Sequence, residues 1–188
     1  EVLGAPSKTQ INLTLKQVKQ RLNAQRAAAM SVRRARMSDI DSITNLVNYW
    51  ADKGEILPRS RDNIIHDVQN FVVAEVEGVV VGCASLYIYQ TGLAEIRSVV
   101  IDQNAHGQGQ GQALIQYLLE FAHQMELQNI IVLTYIPNYF TQLGFHLIDR
   151  NSLADNIIED SEQSPHKDPA DEVAMEYIVD RGAVATEK

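Results

Sequence analysis

The stretch His106-Gly107-Gln108-Gly109-Gln110-Gly111-Gln112 lies between a β-branched run, Val99-Val100-Ile101, and an apolar-striped segment beginning at Ala113. A loop that leaves a strand and opens a helix presents backbone N–H groups with no intrahelical partner, and the helix dipole there favours an anion. Glycines at 107, 109 and 111 let the backbone approach a bulky phosphate and take positive φ. The chemistry on offer is capture of a phosphate-bearing ligand by main-chain amides; a flexible turn is the simpler reading of the same residues. Two familiar phosphate loops do not match. A Walker loop needs Lys-Ser or Lys-Thr after its last glycine, where Gln112-Ala113 stand here. A dinucleotide fingerprint needs G-x-G-x-x-G, and the run here is G-x-G-x-G with no acidic residue closing a second strand about 20 residues on. Just upstream, Glu95 and Arg97 stand two apart in a strand-like run, hence on one face, as an ion pair would require.

These groups need elements to hold them. Alternation and helical spacing give the order β-α-α-β-β-β-α-β-α-β. A strand is expected over 31–36. A helix follows from Ser38, with Ser38 and Asp41 as a capping box and Ile40, Ile43, Leu46, Val47 and Trp50 as its stripe. Residues 52–61 form a loop and 61–69 a short helix. Two strands turn near Glu77-Gly78, a third covers 93–101, and a strong helix covers 113–127. A short buried strand at 129–135, a helix ending at Gly144 and a last strand at 173–179 complete the order. The domain is expected over 31–180, with 151–171 a polar loop. Residues 1–30 stand apart: a linker over the first ten, then a helix capped by Thr14 and Gln17 with Leu15, Val18, Leu22 and Ala29 as a sparse stripe.

The chain has 188 residues, 45% hydrophobic, enough for one ordinary domain with a core. A net charge of −8 argues against a general nucleic-acid binder or a binder of anionic membranes. The single cysteine, Cys83, excludes an internal disulfide and a cysteine-based zinc site. No apolar run approaches the roughly 20 residues that span a bilayer. A reducing cytoplasm is the expected compartment.

The segment Val99–Ala122, "VVIDQNAHGQGQGQALIQYLLEFA", resembles the acetyl-coenzyme A loop of the GNAT acetyltransferases, (Arg/Gln)-x-x-Gly-x-(Gly/Ala). Gly109 and Gly111 fill the last two anchors; His106 stands at the first, a departure that removes a guanidinium fork. "YFTQLGF" at 139–145 extends the resemblance, which covers about 31–148. It implies an α/β fold: the GNAT fold, a mixed central sheet with splayed fourth and fifth strands flanked by helices. It implies acetyl-CoA as co-substrate and no metal. Its arm would be held by the backbone of Val99 and Ile101, its carbonyl polarised by an amide around Val100, and its pyrophosphate bound by amides of Gly107, Gln108, Gly109, Gln110, Gly111 and Gln112. Glu95 falls where the family often has its general base, acting directly or through water, with an Arg97 ion pair as the alternative. The family's usual acid, a tyrosine, is replaced by Phe140, leaving Tyr139 and Tyr135 as candidates. Direct transfer is implied, without an acyl-Cys83.

Within the family, "GEILPRSRDNI", "FVVAEVEGVVVGCASLY" and "AEIRSVVID" are similar to the acetyltransferase domain of N-acetylglutamate synthases, implying L-glutamate or a similar small amine as acceptor and a place in arginine biosynthesis. Two substrate carboxylates need local cations; Arg33, Arg59, Arg61 and Arg97 are candidates, and the resemblance favours Arg33. The strand carrying Cys83 would flank the acceptor. Residues 2–25 resemble the tail of argininosuccinate lyase, implying a covalent fusion to such a domain; a homo-oligomer is a further expectation. Acetylation of another amine and a non-catalytic sensor of acetyl-CoA or arginine are the competing readings.

Overall fold

The structure, a computed structural model, describes residues 8–161 and 171–179. Their β-branched runs form one seven-stranded sheet in the order β1-β2-β3-β4-β5-β7-β6. The strands are β1 (Met30–Arg34), β2 (Phe71–Val76), β3 (Val79–Gln90), β4 (Leu93–Ile101), β5 (Asn129–Thr134), β6 (His146–Ile148) and β7 (Val173–Ile178). All neighbours run antiparallel except β4 and β5, which are parallel. That one parallel pair needs a crossover, supplied by α4 (Gln110–Gln124).

The parallel pairing is short. Leu93, Ala94 and Glu95 stand opposite Asn129, Ile130 and Ile131, and there the ladder ends. Residues 96–101 of β4 and 132–134 of β5 run on without pairing to each other, so the sheet opens between its two middle strands. This is the splay expected of the fold.

Each face of the sheet is covered by its own core. Leu114, Ile115 and Leu118 of α4 pack on Ala94, Ile96, Ala84, Leu86, Ile130 and Val132. The opposite face carries α2 (Ile40–Asp52) and α3 (Arg61–Asp67), whose Ile43, Val47 and Ile64 pack on Phe71, Val73, Cys83 and Val100. The amphipathic stripe expected over 40–50 is the one that is buried.

Four expectations are corrected. Helix α1 (Lys8–Ala29) starts inside the stretch read as linker, and Thr14 lies within it, donating to the Gln10 carbonyl (2.9 Å) instead of capping. Ser38 does not cap α2, because the chain enters through a 3-10 turn, Met37–Asp39. There the Asp39 carboxylate accepts from the Arg36 amide (2.7 Å) and from Arg33. Part of the expected polar loop is helical: Asp155–Ser161 form a helix that buries Ile157, while 162–170 lie outside the described residues. The three-residue β6, missed in the sequence, adds an edge beside β7. Among the described residues no helix is long and apolar enough to cross a membrane.

Candidate active site

The site is built around the end of β4. Cys83 pairs with Val100 and Ser85 with Arg97, so Ser98 and Val99 together face the single residue Ala84. This is a β-bulge, and Ser98 takes φ 52 to make it. A non-glycine residue in that region is uncommon and strained, and such strain gathers at functional sites. The bulge also reverses the side-chain alternation. Ala94 and Ile96 face α4, whereas beyond the bulge it is Val99 and Ile101 that pack on the α4 side, and Val100 joins the α2 side.

Backbone direction follows from one hydrogen bond. Asp102 N donates to the Val81 carbonyl across to β3 (2.7 Å), so the polar groups of Ile101 point the other way, into the gap. The Ile101 carbonyl is already engaged there by the Trp50 indole N–H (2.8 Å) and by His106 Nε2 (3.0 Å). A carbonyl only accepts, so Nε2 carries a proton. The His106 ring also lies against Trp50, with centroids 5.2 Å apart. His106 therefore pins its own loop. The same alternation turns Val100 toward Cys83 and away from the gap, leaving the Ile101 amide and the unpaired Val99 backbone as its gap-side groups.

The glycine loop ends in Gly109, which is the N-cap of α4, has φ 90 and makes no side-chain cap. Gly107 has φ 74. A Cβ placed on either would meet no protein atom within 4 Å, so the space before these amides is open. A Cβ on Gly111, by contrast, would lie 2.8 Å from Tyr139 Oη and 3.9 Å from the Ile101 side chain. The Tyr139 hydroxyl thus sits where β4 ends and α4 begins, on the α4 side. Burial pushes its pKa up, so it stays protonated at neutral pH. Phe140 points into the core against Phe145.

Glu95 and Arg97 project from the opposite face. Glu95 is only 7% exposed, and its Oε2 accepts from Arg97 Nε (2.6 Å) and from the Tyr89 hydroxyl (2.7 Å). The Arg97 guanidinium lies 4.2 Å over the Tyr87 ring. Among the described residues nothing donates to Oε1 of Glu95, which leaves one oxygen of a held carboxylate able to take a proton.

The other predicted residues divide. Arg59 lies in the loop before α3, with its Nη1 on Asp67 (3.1 Å) and its backbone held by Asn48. Arg61 pairs with Asp41 on the surface. Arg33 is not brought to the gap. It stands on edge strand β1, three strands from β4 and so roughly 14 Å away. Its guanidinium is spent on Asp39 (2.7 and 3.0 Å) and Glu75 (2.9 and 2.7 Å). Cys83 is fully buried, with strands on both sides and its thiol pushed up to about 12 by desolvation. Its side chain has no route to an acceptor. Trp50, read only as part of a helix stripe, and Tyr87 and Tyr89 were not read as site residues; nothing in an amphipathic stripe or a strand says which carbonyl or carboxylate a ring will meet.

A sheet opened between parallel strands, over an uncapped glycine-led helix N-terminus, offers an extended, phosphate-bearing ligand both a strand edge and free amides. The acetyltransferase (GNAT) family model matches residues 37–146, and the chain belongs to that family. It is an acetyl-CoA-dependent N-acetyltransferase. It is 33% identical over 150 residues to an amino-acid acetyltransferase of Mycobacterium tuberculosis, covering 78% of this chain and 86% of that one. A Mycobacterium tuberculosis structure in complex with CoA and a second ligand matches with TM-score 0.67 and 30% identity, over 79% of this chain and 98% of that one. N-acetylglutamate synthase from Neisseria gonorrhoeae, complexed with coenzyme A and N-acetyl-glutamate, shares the fold at TM-score 0.72 and 22% identity, over 81% of this chain and 35% of that one.

Proposed function

We propose that the protein transfers the acetyl group of acetyl-CoA to the α-amine of L-glutamate. The observation that carries this is the Glu95–Arg97 pair on the sheet face opposite α4, beside the gap: a proton acceptor next to a fixed cation. The names of its relatives support an amino-acid acceptor.

Acetyl-CoA, when bound, supplies the acetyl group as a thioester. The unpaired β4 edge at Val99 and the Ile101 amide hold the arm as a missing strand would. The amides of Gly107–Gln112 and the α4 dipole hold the pyrophosphate, with no fixed cation in the loop. The Val99 amide, released by the bulge, polarises the reacting carbonyl. Arg97 and Arg59 attract the acceptor's carboxylates. Glu95 takes the ammonium proton at Oε1, directly or through a water. The amine then forms its N–C bond as the C–S bond breaks, its nitrogen gives up a second proton to water, and Tyr139 gives its Oη proton to the departing sulfur and regains one from solvent. Base and acid thus work from opposite faces of the sheet. Arginine biosynthesis and a cytoplasmic location follow from that acceptor as part of the same proposal. The lyase fusion rests on the N-terminal resemblance, and the mass of the native gene product measures it.

The test is Glu95→Gln. It should lower kcat about 100-fold while calorimetric acetyl-CoA affinity stays unchanged. An unchanged kcat removes the base assignment.

A further inference from the structure

Tyr89 takes no part in the mechanism above, yet it bonds both charged groups of the acceptor face. Its hydroxyl donates to Glu95 Oε2 (2.7 Å) and accepts from Arg97 Nη2. Arg97 Nε donates to the same Oε2 (2.6 Å), so two donors converge on one carboxylate oxygen. The backbone is shaped to this end. The β3–β4 register shifts between Ile88 and Gln90, at Tyr89 itself. A bulge costs ladder pairing, and beside an active site it re-aims a side chain. The ring is then fixed edge-on to Tyr87 at 5.0 Å, and Tyr87 in turn carries the Arg97 guanidinium on its face.

We propose that Tyr89 is a positioning residue: with Arg97 it pins Oε2 of Glu95 and so presents Oε1 to the acceptor amine. This rests on Glu95 being the base. Burial and the Glu95 charge push the Tyr89 phenol above its ordinary range, so it remains a donor throughout the working pH range. Without the hydroxyl, one donor remains and the carboxylate can rotate, losing the alignment that proton transfer needs.

Tyr89→Phe removes the hydroxyl and keeps the ring against Tyr87. The experiment measures kcat and KM for wild type, Tyr89→Phe, Glu95→Gln and the double variant, with thermal unfolding midpoints in parallel. The acceptor is the amine that wild type acetylates fastest in a panel headed by L-glutamate. The expected result is a kcat about tenfold lower for Tyr89→Phe, with KM for acetyl-CoA unchanged. No further loss should appear when Glu95 is already Gln, because the hydroxyl acts through that carboxylate. An equal loss in both backgrounds would overturn the positioning role while leaving Glu95 as base. A Tyr89→Phe kcat equal to wild type would do the same. Wild-type kcat in Glu95→Gln would overturn the base, and Tyr89's role with it.

Discussion

Among the described residues two donors tie one oxygen of Glu95 and none reaches the other, and Cys83 shows the opposite arrangement. Cys83 is fully buried, and its thiol is pushed up to about 12. A thiol that holds its proton so firmly is a poor nucleophile. Cys83→Ala should therefore keep turnover within about twofold, with a stability loss of about 1 kcal/mol for the lost packing. An acetyl-cysteine trapped on the wild-type chain would contradict direct transfer. Asp39 is a residue of the frame. Its carboxylate is held below 3.8, first by the Arg33 hydrogen bond and also by the Arg36 amide. A depressed pKa stabilises the fold above the unfolded value, near 3.9, and loses that contribution as pH falls through the folded value. Asp39→Asn should cost about 2 kcal/mol at pH 7. The gap from wild type should stay level down to about pH 5 and close below pH 4. Denaturant midpoints across that range measure it.

At the scale of elements, β4 and the helix after it carry the account, and they show where sequence reading reaches. The bounds of β4, the same-face placement of Glu95 and Arg97, and the glycine loop between strand and helix were all readable, because each depends on local spacing. The bulge was not: Ser98 takes positive φ without the glycine that would have marked it. Nor were the long-range partners. Trp50 reaches the Ile101 carbonyl across 51 residues, and Arg33 reaches Glu75 across 42. Arg33 was read toward substrate, since the carboxylates that absorb it lie on another strand and a turn. The loop itself makes a sharp prediction. A valine at Gly109 must hold φ 90, at a strain of about 1–2 kcal/mol, and its side chain enters the open space before the amides. Calorimetry should show acetyl-CoA affinity falling at least tenfold for Gly109→Val. His106→Ala should cost only about threefold, because its Nε2 is turned to the Ile101 carbonyl and away from that space. The reverse order would mean that the side chain, and not the backbone, holds the phosphates.

For the whole molecule, the sheet is the divider that the chemistry crosses. Glu95 lies on the face of α2 and α3, Tyr139 on the face of α4, and the opening between β4 and β5 connects them. In the proposed mechanism the amine and the thioester arrive from opposite sides, a layout that suits a reaction with both substrates bound at once. The order of elements along the chain through β5 was legible from hydrophobic periodicity, and the fold class and the splay from the family resemblance. From residue chemistry the acceptor was legible only as an anion, through arginines of which Arg33 is taken up by Asp39 and Glu75; L-glutamate came from the family resemblance. The most direct measurement is therefore release of coenzyme A by the purified protein, with acetyl-CoA and L-glutamate against L-aspartate and a polyamine. A kcat/KM for L-glutamate at least tenfold above either competitor is the predicted result. No glutamate-dependent release, or a faster reaction with the polyamine, would contradict the account.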